Sequence, residues 1–372
     1  MLGEAQVQAL TTQVLWAAFA LALAFGAIAQ RTHFCTMGAL SDIVTMGDWA
    51  RMRMWALAAG VAVLGFNAMV ALGWLEAADS IYASPRLIVL SHLLGGLMFG
   101  FGMVLASGCG SKTLVRVGGG NLKSLVVFLV LGISAFATLK GLTAVWRVTT
   151  VDRVALTLPS GQDLPSLLSQ RNGSMRAPLA LLLGAGVGGA LLAWALARPE
   201  GRRADVLLGG VGIGVVVSAL WWVSGCLGHV AEHPLSLQET FLATNSQRME
   251  SLSFVSPFAY TIDWLIFFSD TSKVLTIGIV STLGVVLGSA AVALATRNFH
   301  WEGFRNAEDT ANHLVGAMLM GVGGVTALGC TIGQGLSGLS TLSIGSFVAL
   351  GGILGGGVLA LRWQMWKLER AA

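Results

Sequence analysis

With 372 residues, 55% of them hydrophobic and 11% charged, the chain is far more apolar than a soluble domain, in which roughly 25% of residues are charged. The 22 Lys and Arg against 18 Asp and Glu leave a net charge of +4, and no basic run offers a nucleic-acid surface. What remains is an all-α polytopic membrane protein, and the 49 glycines fit it, because small residues let helices approach closely in lipid.

Apolar runs near the roughly 20 residues needed to cross the hydrocarbon occur at 12–30, 54–74, 87–107, 122–142, 179–198, 206–224, 273–296, 311–329 and 343–361. Nine transmembrane helices are expected. Only Glu4 is charged ahead of the first run, so the basic leader of a cleavable signal is missing and the first span is expected to be retained. Arg31 to Asp48 is too polar to span and too apolar for a free loop, which predicts a short helix dipping into the membrane. Between the spans, Thr149 to Arg176 carries Pro159, Gly161, Pro165 and Gly173 and reads as a turn-rich cover over one face. Ser236-Leu-Gln-Glu239 has the spacing of a capping box and predicts an amphipathic helix within His233 to Pro257. The stretch from Ala259 to Ser269 is short and contains Asp263, as expected of an interfacial or re-entrant helix.

Nine spans put the termini on opposite sides. With the N-terminus periplasmic, fourteen of the 22 basic residues fall on the cytoplasmic side, together with the C-terminus, as the positive-inside rule requires.

One passage occurs twice. HLLGGLMFGFGMVLASGC, ending at Cys109, returns 221 residues later as HLVGAMLMGVGGVTALGC, ending at Cys330. His92 falls on His313, Gly95 on Gly316, Gly102 on Gly323 and Gly108 on Gly329. The chain therefore divides into a first half-repeat (12–142), a connector (143–204) and a second half-repeat (205–361), within one transmembrane domain. Span parity inverts the second half, and inverted repeats place their substrate site near the midplane, at broken helices. By order along the chain, Cys35 of the first half answers Cys226 of the second.

The four cysteines, Cys35, Cys109, Cys226 and Cys330, are 74, 117 and 104 residues apart, which is neither zinc spacing nor a redox CxxC. A lone buried cysteine usually packs as a small apolar residue. Repetition singles out Cys109 and Cys330, which follow glycine-rich spans at breaks where irregular backbone must be buried or line a cavity. The turns GCGSKTLVRVGGGN and GCTIGQGLSGLSTLS expose backbone N–H groups suited to an anion. The candidates there are Gly108, Gly110, Lys112 and Arg116 in one copy, and Gly329, Thr331 and Gln334, with Ser337, Ser340 and Thr341 as further neutral donors, in the other. His33 lies two residues before Cys35. His92 and His313 are about 25 Å of helix from their own cysteines at ~1.5 Å per residue and are expected to cap or pack.

These motifs, with RTHFCTMGALSD and ESLSFVSPFAYTIDWLIFF, resemble the YeeE/YedE family of bacterial membrane proteins, whose characterised members import thiosulfate. The resemblance covers most of the chain. It implies an inverted-repeat fold in the bacterial inner membrane and a pathway on which Cys35, Cys109 and Cys330 hand the substrate inward; Cys226 is not carried over. A buried thiol stays protonated, and it must, since a thiolate would repel a dianion. The implied partners are a sulfur anion, the surrounding lipids and a cytoplasmic sulfur-carrier protein, with no cofactor and no metal. Two other readings stand beside it: a membrane thiol–disulfide oxidoreductase, and a transporter of another sulfur or selenium compound.

Overall fold

The computed structural model describes residues 3–169 and 175–371. Gly173 and Arg171 of the turn-rich stretch lie outside these residues. The helices in chain order are α1 (Glu4–Thr32), α2 (Thr36–Met46), α3 (Ala50–Ala71), α4 (Val89–Leu105), α5 (Gly110–Gly118), α6 (Leu122–Lys140), α7 (Leu142–Thr149), α8 (Leu164–Leu168), α9 (Arg176–Leu196), α10 (Ala204–Trp222), α11 (Ser256–Ile266), α12 (Ile277–Ala295), α13 (Ala307–Thr326) and α14 (Ile344–Ala371).

Each of the nine expected spans is a long helix. Eight helical stretches among the described residues are long and apolar enough to cross a membrane. The ninth, α13, falls short because Glu308 and Asp309 occupy its first turn. The spans turn large hydrophobic side chains outward as well as inward: Leu182, Ile133 and Leu287 are all more than half exposed, as a lipid-facing surface requires. Between Arg31 and Asp48 the expected short helix is α2, and the short stretch around Asp263 is α11.

The centre of the fold is the crossing of the two repeated helices. A Cβ on Gly102 would sit 2.6 Å from the carbonyl oxygen of Gly316, and one on Gly316 the same distance from that of Gly102. Gly95 and Gly323 repeat the relation, with 2.7 and 2.6 Å to each other's carbonyl oxygens. The start of α4 therefore meets the end of α13, and the two run antiparallel. Around this pair α4 packs on α14 while α13 packs on α6, and α1 packs on α12 while α10 packs on α3.

The connections cap one end of the bundle. Strand β1 (Arg86–Leu87) pairs antiparallel with β2 (Leu156–Thr157), Arg86 opposite Thr157, and Gln162 accepts the Ile344 N–H at 3.0 Å, so the turn-rich stretch is strapped to the starts of α4 and α14. The helix predicted at Ser236 does not form. Instead β3 (His229–Val230) and β4 (Thr240–Phe241) make a small antiparallel pair. Pro234 precedes the supposed cap, Leu237 adopts the left-handed backbone (φ 54°), and Glu239 is drawn to His229 at 2.7 Å rather than back to a helix start.

A second expectation fails in the same region. Helix α2 packs on α3 and α14; the helix with the matching neighbours, α12 and α6, is α11. The counterpart of Cys35, which caps α2, is thus Val255 at the start of α11 and not Cys226. Order along the chain misled because the α10–α11 connection is long and places Cys226 well before the short helix.

Candidate functional site

Cys35, Cys109 and Cys330 share one local structure. The residue two places before each is left-handed: His33 at φ 54°, Ser107 at φ 55° and Leu328 at φ 60°. This residue stops the preceding long helix and turns the chain, and the cysteine then starts a new helical segment. These are α2 after Cys35, α5 after Cys109, and a π-helical turn, Gly333–Gly338, after Cys330. At two of them the sulfur accepts the N–H three residues on, Gly38 donating to Cys35 and Gly333 to Cys330, both at 3.3 Å, while the Cys109 sulfur, at the head of α5, takes no such bond and lies against the Ser111 hydroxyl. At Cys35 and Cys330 the serine-like cap is filled by a thiol, whose own proton is left available.

These caps converge. Cys35 and Cys109 thiols lie against each other, with Ser111 Oγ 3.4 Å from the Cys109 sulfur and Thr331 reaching the same sulfur from the opposite copy. The Cys330 sulfur, next along, is surrounded by the N–H groups of Ile332, Gly333 and Phe254, the last from the start of α11. All three cysteines are buried and none is in a disulfide. The two repeated turns, far apart in sequence, are adjacent because α4 and α13 cross at their glycines.

A cavity lies on each side of this cluster. One, of about 400 Å³, is lined by His33, Ser107, Lys112, Arg116, Lys123, Arg305 and neighbouring polar groups. The other, of about 200 Å³, is lined by Ser253, Glu250, Tyr260, Arg147, Val325 and Leu328 among others. Helix α13 contributes Asp309 and His313 to the first and Val325 to the second, so the cavities sit at opposite ends of the span. In the first, Lys123 is held by Glu302 and Asp309 at 3.3 and 3.0 Å, whereas Lys112 and Arg116 enter no ion pair among the described residues. That cavity is a basic funnel, with four Lys and Arg side chains against Glu302 and Asp309, and His33 and Ser107 in its wall stand two residues before Cys35 and Cys109.

The remaining candidates divide into those at the cluster and those used elsewhere. Gly108 packs against the Lys112 stem, Gly110 lies where a Cβ would be 3.1 Å from the Phe254 carbonyl, and Gly329 lies against the backbone of Gln334; all three let the turns pass close to neighbouring chain. Gln334 donates its amide to the Ala327 carbonyl at 2.6 Å and keeps its own oxygen unpartnered. Ser337, Ser340 and Thr341 are not free donors: their hydroxyls bond the carbonyls of Leu252, Ser337 and Gly338. Cys226 is apart from the other three, half-buried in a π-helical turn (Val223–Leu227), with its thiol on the Trp74 carbonyl at 3.3 Å. His92, distant along α4 from its own Cys109, binds the Ala327 carbonyl at 3.1 Å, three residues before Cys330 of the other copy, and His313 sits against Asp309.

Sequence reading missed Tyr82 and Ser253. Around Gly333 a Cβ would come within 2.6 Å of Ser253 Oγ and 3.2 Å of Tyr82 Oη, beside the Cys330 sulfur that Gly333 itself caps. Tyr82 Oη and Thr331 Oγ1, along with Thr36 Oγ1 next to Cys35, are buried without a partner in good hydrogen-bond geometry. An orphaned buried hydroxyl costs about 1–3 kcal/mol, so several along one line point to a ligand that completes them. Tyr82 is one of only two tyrosines in the chain, in an otherwise apolar protein, and that rarity was the available signal.

Broken helices meeting at the centre of an α-helical bundle, between two cavities at opposite ends, define a membrane transporter. The comparisons give the particular kind. The family model for sulphur transport matches residues 31–359, and the chain belongs to that family. It is 24% identical to the thiosulfate transporter TsuA of Spirochaeta thermophila over 90% of this chain and 94% of that protein. It is 27% identical to the thiosulfate transporter TsuA of Escherichia coli, over 84% of this chain and 83% of that one. A shorter match, 29% identical over 116 residues, is to the probable transporter YedE of Escherichia coli. The family is one of transporters rather than of redox enzymes.

Proposed function

We propose that this protein imports thiosulfate, passing it from the cavity at Ser253 and Glu250, past Cys330, to Cys109 and Cys35 and out through the basic funnel at Lys112. The observation that carries this is the cluster of three buried cysteines, each at a helix break, between two cavities. The substrate class comes from the family and the two TsuA relatives. Thiosulfate has a soft terminal sulfur and a hard sulfonate end. Neutral thiols offer S–H contacts to the first, and N–H groups at the starts of α2 and α5 favour the second. Several weak contacts in series let the ion enter without being trapped.

In this reading the protein lies in the bacterial inner membrane with its N-terminus periplasmic, so that the basic funnel opens to the cytoplasm, where a sulfur-carrier protein would accept the cargo. The halves 12–142 and 205–361 are then related by a pseudo-two-fold axis through the α4–α13 crossing, with 143–204 as connector. Uptake of labelled thiosulfate by proteoliposomes tests it. Saturable uptake competed by unlabelled thiosulfate and little affected by sulfate is expected. Equal competition by sulfate, or stronger competition by a selenium analogue, would assign another cargo.

A further inference from the structure

Resting on that reading, we infer that anion entry is coupled to a proton held by Glu250, whose carboxyl must be neutral for a dianion to pass the smaller cavity. Glu250 is placed by a segment without regular secondary structure that hydrogen bonds pin along its length. The Met249 carbonyl accepts from the Ile81 N–H at 3.4 Å, the Glu250 N–H binds Ser224 Oγ at 2.9 Å, and Ser251 Oγ binds the Val217 carbonyl at 2.9 Å. The Leu252 carbonyl takes the Ser337 hydroxyl, and two residues later the Phe254 N–H reaches the Cys330 sulfur. One extended segment therefore joins the carboxyl in the cavity wall to the first thiol on the path.

A carboxylate at the entrance to an anion pathway would oppose its own substrate unless a cation balanced it. Among the described residues none does. Arg147, on α7, lines the same cavity but is held by Asp152 at 3.2 Å. Arg248, two residues earlier, turns away to the Ala78 carbonyl at 3.2 Å. The other titratable groups facing Glu250 are phenols, Tyr260 from α11 and Tyr82 from the α3–α4 connection, and behind Tyr260 Asp263 adds a further negative charge that Lys273 balances. Burial, with only a Ser246 hydroxyl to oppose it, pushes the Glu250 carboxyl up to about 8. Near neutral pH the group carries its proton and becomes a hydrogen-bond donor facing the cavity beside Ser253. A dianion arriving there holds that proton more firmly. Binding at higher pH must then draw a proton from solution, and the periplasmic side, when acidified, favours entry.

The test uses the full-length protein in nanodiscs with sodium thiosulfate as probe. Infrared difference spectra follow the protonated carboxyl band against pH, and calorimetry in buffers of different ionisation enthalpy counts protons taken up on binding. The band is expected to titrate with a midpoint near 8 and to move to higher pH with thiosulfate. Binding takes up about one proton above that midpoint and weakens by roughly tenfold for each further pH unit. In Glu250→Gln the band is absent, and affinity is flat with pH and without proton uptake. A midpoint that stays put while calorimetry records thiosulfate binding overturns the coupling, as does a Glu250→Gln protein that keeps the pH dependence. Absence of binding heat in both proteins overturns the transport reading itself, and the coupling with it.

Discussion

Cys109 and Cys226 both follow glycine-containing apolar helices, and the sequence around them differs little in polarity. Their surroundings are nonetheless unlike. Before Cys109 the left-handed Ser107 ends α4 outright, so the cysteine stands at the head of a new helix with its thiol buried against Ser111. At Cys226 the helix is only loosened into a π turn, and the thiol is spent on the Trp74 carbonyl near the surface. What brings a cysteine into the central cluster is the backbone break two residues earlier, and an apolar neighbourhood alone does not supply it. The same break precedes Cys35 and Cys330.

The largest way to disturb that difference is to separate the helices that bring the breaks together. Gly102→Val places side-chain carbons against the Gly316 carbonyl, where a Cβ alone is already at 2.6 Å. Overpacking of this kind costs about 1–3 kcal/mol when side chains can yield, and backbone yields less. The expected outcome is loss of the monodisperse peak in size-exclusion chromatography, while the same change at Gly186, which has nothing within 4 Å, is tolerated. A normal peak for Gly102→Val would mean the two turns are not held by this crossing.

A smaller effect is expected at the funnel. Lys112 lines the basic cavity and enters no ion pair among the described residues, so Lys112→Ala removes the charge and keeps the backbone of α5. Thiosulfate uptake should fall about tenfold at low ionic strength and by less in high salt, as focusing of an anion by a charged cleft requires. A loss independent of salt would assign Lys112 to packing instead. Smaller again is the pH effect of Glu250 within the neutral range. Its carboxyl stays protonated below about 8, so uptake is level there and declines only as pH rises through that value.

The spans were legible because hydrophobicity at that length has few other uses, and the repeat was legible because Gly95, Gly102, Gly316 and Gly323 must remain glycine for α4 and α13 to touch. Cys109 and Cys330 followed from the same repetition. What spelling could not supply was the match between α2 and α11. Phe254 and Val255 stand there in place of a cysteine, and chain order pointed to Cys226 instead. Nor could it separate the hydroxyls of Ser337, Ser340 and Thr341, which satisfy local carbonyls, from those of Tyr82 and Thr331, which do not. That distinction depends on which carbonyl lies within reach, a property of packing across the two halves. Glu250 was passed over because it reads as one more loop acid until the pinned segment leading to Phe254 is seen.

The most direct measurement compares the four single cysteine-to-alanine variants in one proteoliposome assay of labelled thiosulfate uptake, at equal amounts of inserted protein. The account predicts uptake at the level of empty liposomes for Cys35→Ala, Cys109→Ala and Cys330→Ala, and uptake within about twofold of the parent for Cys226→Ala, whose thiol makes one replaceable hydrogen bond. Parent-level uptake by the first three, or a dead Cys226→Ala, would contradict it.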